Sequence, residues 1–96
     1  MRSNTKLTKY QKNILIAMKD EMSNVALVDN GETTIAFQEK GNTVEFALSV
    51  MSPEEKKFRR KVGQYWAYDR FHMGETVKMG REDFHRMLAD IFYIWI

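Results

Sequence analysis

Between residues 24 and 51 the apolar side chains recur at every second position, and that period restricts this part of the chain to β-strands. Turn signals at Asp29-Asn30-Gly31 and Lys40-Gly41 divide it into three strands. A tight loop at Lys40-Gly41 sets Phe37 opposite Val44, Ile35 opposite Phe46 and Thr33 opposite Leu48, with Gln38, Glu45 and Thr34 on the other face. A slip of one residue would bring Phe37 against Glu45, so the tight loop is preferred. A three-residue loop at Asp29-Asn30-Gly31, with Gly31 left-handed, sets Val25 near Ile35 and Leu27 near Thr33. One face then carries Val25, Leu27, Ile35, Phe37, Val44, Phe46, Leu48 and Val50, and helices must cover it. The expected fold class is α+β in the order α-β-β-β-α-α, a three-stranded antiparallel meander covered on one face by helices.

Helical spacing flanks the meander. Leu7, Tyr10, Ile14, Met18 and Met22, with Leu15 beside them, mark one face of a helix over 7–22, and Thr8 with Gln11 reads as a capping box. Met22 is also a candidate start, which would make that helix an extension of a core beginning at Asn24. Ser52-Pro53-Glu54-Glu55 combines a hydroxyl cap, a proline suited to the first helical position and two dipole-complementing carboxylates, so a basic and aromatic helix is predicted over 53–73. Gly63, costly inside a helix, marks close approach of the sheet or another helix. Residues 75–79 read as a connector, with an extended conformation as an alternative, punctuated by Gly80, and Phe84, Met87, Leu88, Ile91 and Trp95 predict a C-terminal helix over 81–95. Its end, IFYIWI, is apolar on every side, so it docks in the core or on a second copy; the self-association residues are Phe92, Ile94, Trp95 and Ile96. With no linker or repeat, all 96 residues are expected to form one domain.

Composition narrows the function classes. Without cysteine there is no disulfide, thiolate metal site or thiol nucleophile. From the polar residues 1–10 no secretory leader is expected, and no apolar run approaches the ~18 residues of a membrane span. A cytoplasmic location without membrane partners is expected. The net charge of +2 does not by itself demand nucleic acid, but KKFRRK places five cations within the six residues 56–61. On a helix begun at Pro53, Lys56, Lys57, Arg60 and Lys61 project away from Phe58 and Val62, a geometry suited to phosphates or to an acidic protein surface. A solvated face partly neutralised by Glu54 and Glu55 is the plainer alternative.

Tyr65, Trp66, Tyr68 and Phe71 are interleaved with Arg70 and His72, a mixture that can stack bases, although their spacing spreads them over several helix faces as core or interface contacts. His72 and His85 lack a second ligand at metal-site spacing, so no metal or other cofactor is expected. Asp69 lies three residues before His72, as in a hydrogen-bonded pair, but no nucleophile motif accompanies them. The catalytic set is therefore empty and the chain is expected not to be an enzyme.

The segment FALSVMSPEEKKFRRKVGQYWAYDRF, residues 46–71, resembles a pattern in small uncharacterised tailed-bacteriophage proteins: a strand, a Ser-Pro-acidic helix start, a basic Phe-Arg-Lys-x-Gly stretch, then Ala and Arg. The matching residues are Ser52, Pro53, Glu54, Phe58, Arg60, Lys61, Gly63, Ala67 and Arg70, with departures at Gln64 and Tyr65-Trp66. The resemblance implies a phage or prophage accessory protein that binds a host protein in the bacterial cytoplasm. A topological resemblance to the double-stranded-RNA-binding domain implies instead that Lys56, Lys57, Arg60 and Lys61 face phosphates. That domain's glycine-proline-histidine loop element is missing here. The expected partner surface is thus Lys56, Lys57, Arg60, Lys61 and Arg70, facing a host protein or, alternatively, nucleic acid.

Overall fold

Thr8 and Gln11 form the expected capping box. In the computed structural model, which describes residues 6–51 and 57–92 (91 and 92 by their backbone alone), the Gln11 backbone N–H donates to Thr8 Oγ1 at 3.1 Å and the Thr8 N–H to Gln11 Oε1 at 3.0 Å. Helix α1 follows over Lys9–Glu21. Leu15 and Met18 are buried in one cluster with Val25, Ala36 and Val62, so α1 belongs to the core rather than extending from it.

Among the described residues the sheet has four strands, one more than expected: β1 (Ala26–Asp29), β2 (Thr33–Lys40), β3 (Thr43–Val50) and β4 (Val77–Gly80), antiparallel in the order β1-β2-β3-β4. The stretch read as a connector supplies β4, which pairs Val77 with Phe46 and Met79 with Val44. The true order is therefore α-β-β-β-α-β-α.

Both registers differ from expectation. Between β2 and β3 the two loop residues are Gly41 and Asn42, so Phe37 pairs with Phe46 and Ile35 with Leu48. Gly41 takes the left-handed conformation (φ 61°) at the first loop position, and the Asn42 carbonyl accepts from the Arg81 N–H at 2.7 Å. The shift is by two residues, so Phe37, Val44 and Phe46 keep their shared face. Between β1 and β2 the shift is odd: Leu27 pairs with Ala36 and Val28 with Ile35, moving Leu27 to the opposite face. Asn30 stabilises this longer turn, its Oδ1 accepting from the N–H groups of Glu32 and Thr33 at 2.9 and 2.8 Å.

Helices cover both faces of the sheet, not one. Along β2 the faces alternate: Ala36 lies in the cluster with α1 and α2 (Arg60–His72), whereas Ile35 joins Val44, Phe46, Phe84 and Leu88 beneath α3 (Arg81–Phe92). Phe84 and Leu88 are fully buried, as their helical spacing predicts, and the Phe84 ring packs 4.9 Å from Phe37 and 5.3 Å from Phe46.

Helix α2 starts at Arg60 rather than Pro53. Ser52, Pro53, Glu54, Glu55 and Lys56 lie outside the described residues; residues 57–59 are not helical, and Arg59 is extended (φ −115°, ψ 106°). Phe58 turns back onto the helix, with Cε1 3.6 Å from the position a Gly63 Cβ would take. The local start signal at Ser52-Pro53 thus does not carry a continuous helix through Phe58. The bare Gly63 lets α2 approach β2 closely: a Cβ there would overlap Thr34 Oγ1 and lie 3.2 Å from Thr34 Cβ.

Candidate anion-binding groove

Where the start of α1 meets the start of α2, a groove of ≈ 300 Å³ opens. Leu7, Phe58 and Val62 form its floor; Leu7 and Val62 are buried and Phe58 is half-buried. Its rim is cationic. Lys57, Arg59, Arg60 and Lys61 come from the basic run, Lys12 from the first turn of α1 and Lys6 from the residues that lead into it. Among the described residues no carboxylate lines the groove, and Arg60 is the one rim cation in an ion pair, its Nε 3.0 Å from Asp29 Oδ2. Cations gathered over a low-dielectric floor concentrate a positive potential that attracts anions.

Three of the expected partner residues, Lys57, Arg60 and Lys61, come together here. Lys57 precedes the helix and so does not share a helical strip with Lys61; tertiary packing unites them instead. Arg70 sits ten residues along α2 from Arg60, where Nη1 donates to the Leu48 carbonyl at 3.2 Å. That carbonyl lies beyond the part of β3 that β4 pairs with, and Arg70 serves it rather than the groove. Lys56, Ile94, Trp95 and Ile96 lie outside the described residues, as does the Phe92 side chain. Sequence reasoning missed Lys6, Lys12 and Arg59. Lys6 and Lys12 lie far from the basic run in sequence, and only the packing of α1 against α2 brings them beside Lys61.

The aromatic set belongs to the core. Tyr68 is buried with Val62 and Ala67, while Tyr65, Trp66 and Phe71 pack partly buried against the same cluster, and Tyr65 meets Trp66 edge-on at 5.0 Å. Burial pushes the Tyr68 phenol pKa above its ordinary value. His72 is exposed, and no hydrogen bond joins it to Asp69 among the described residues. His85 has a partner that spacing did not reveal: its Nε2 lies 2.9 Å from Glu39 Oε1, while Arg81 Nε reaches Glu39 Oε2 at 3.4 Å.

This Glu39-centred clasp borders a wider open recess of ≈ 880 Å³ by Asn42, Gly80, Arg81 and His85, on the α3 side of the sheet. Its lining carries charges of both signs, Arg81, His85 and Arg86 beside Glu82 and Asp83, with Arg86 3.8 Å from Asp83, so no single sign dominates it. No group of three or more potential metal ligands occurs among the described residues. Nor is any helix there long and apolar enough to cross a membrane. Comparison of the chain with protein-family models, with curated proteins and with solved structures finds no match.

Proposed function

We propose that the protein is a noncatalytic interaction module that binds an acidic surface of another protein through the α1–α2 groove, as a small phage accessory protein acting on a host protein would. The observation carrying this reading is the rim of Lys6, Lys12, Lys57, Arg59, Arg60 and Lys61 around an apolar floor. A phosphate backbone would use the rim but leave the half-buried Phe58 without a complement, whereas a protein surface offers carboxylates and apolar groups together. The oily C-terminal residues Phe92, Ile94, Trp95 and Ile96 serve self-association in the same proposal.

Nucleic-acid binding is the second reading. It draws support from α1 and α2 sharing one sheet face in the order α-β-β-β-α, both contributing cations to one surface. Capture from a bacterial lysate separates the two. Wild-type protein is expected to retain a partner after nuclease treatment, to release it at high salt, and to lose it on Lys57→Glu with Lys61→Glu. Capture that disappears with nuclease overturns the protein-partner reading.

A further inference from the structure

We propose that the occupant of the groove is a linear acidic segment bearing one aromatic or large aliphatic side chain between carboxylates, with that side chain seated against the half-buried Phe58. This rests on the protein-partner reading above and specifies the partner's chemistry. Cations approach the groove from two directions, Lys6 and Lys12 from the α1 side and Lys57 and Lys61 from the α2 side. A bound chain therefore meets positive charge before and after its centre. The centre itself is apolar, which a segment made only of carboxylates would leave uncomplemented. A volume of ≈ 300 Å³ holds one large side chain rather than a folded surface.

The test is fluorescence anisotropy on the full chain with three labelled probes: a glutamate-rich peptide with one central phenylalanine, the same peptide with glycine there, and a single-stranded oligonucleotide of equal charge. The phenylalanine peptide is expected to bind about tenfold more tightly than the glycine peptide. Lys12→Glu with Lys61→Glu should abolish binding of both peptides, and Phe58→Leu should reduce only the phenylalanine advantage. Lys12→Gln with Lys61→Gln, checked for native circular dichroism, provides a milder pair that should weaken both. Equal affinity for the two peptides, lost on charge reversal, overturns the anchored segment but leaves the protein-partner reading intact. No peptide binding, or binding indifferent to these lysines, overturns both, as does tighter binding of the oligonucleotide.

Discussion

Gly63 of α2 rests on Thr34 of β2, with a Cβ position 3.2 Å from Thr34 Cβ and overlapping Thr34 Oγ1. This contact sets how closely the second helix lies on the sheet, and so where Val62 and Lys61 stand relative to α1. Thr34 is fully buried, and its hydroxyl finds no hydrogen-bond partner among the described residues.

Gly63→Ala is therefore expected to destabilise the fold by about 2 kcal/mol, because overpacking outweighs the gain of up to about 1 kcal/mol in helix propensity. Thr34→Val removes a buried polar atom and should stabilise by about 1 kcal/mol. Gly63→Ala combined with Thr34→Ala should recover much of the loss. Urea unfolding of the single and double variants measures the coupling, and additive effects would contradict the contact.

Tyr68 links stability to alkaline pH. Burial raises its folded-state pKa above the ordinary 10.0, so the unfolded chain releases the phenol proton first. Its contribution is complete below that ordinary value and is lost as pH rises from there through the raised folded value. Tyr68→Phe should flatten the alkaline fall in stability, read from urea midpoints at about pH 9 and about pH 11. Parallel profiles for variant and wild type would contradict this.

Asp29 joins the β1–β2 turn to the groove rim. Its Oδ1 accepts from the Gly31 N–H at 3.1 Å and its Oδ2 from Arg60 at 3.0 Å. Asp29→Ala should cost about 1 kcal/mol, since the ion pair is largely exposed on the arginine side. By releasing Arg60 it should also tighten binding of an acidic peptide at low salt, an effect that high salt erases. Unchanged affinity would show that Arg60 does not face the ligand.

Self-association is tested by sedimentation. Leu48, Val50 and Val77 are exposed on the sheet face that α3 covers in part, and the sequence beyond Phe92 is apolar. The wild type is expected to sediment as a dimer at high concentration and Trp95→Asp as a monomer. A monomeric wild type refutes the proposal.

How far the sequence revealed the fold depended on how much each signal was local. The capping box at Thr8, the β2–β3 alternation and the Phe84–Leu88 spacing are local patterns, and the fold uses all three. In β1, apolar residues occupy both 27 and 28, so alternation alone could not choose the face, and Asn30 decided it by stabilising a longer turn. Strand β4 is four residues long, and its identity comes from pairing with β3 rather than from its own period. The Ser52-Pro53 signal predicts a helix start well before Arg60, because a local cap pattern does not report that Phe58 folds back towards Gly63. The groove was half legible: the basic run showed one side, while Lys6 and Lys12 needed the packing of α1 to reveal the other.

The most direct test of the groove as contact surface is an amide chemical-shift map of the full chain, titrated with a glutamate-rich peptide at low salt. The changes should concentrate at Lys6, Leu7, Lys12 and residues 57–62, and collapse with added salt. Changes centred on Arg81, His85 and Arg86, or spread evenly over exposed lysines, would contradict the account.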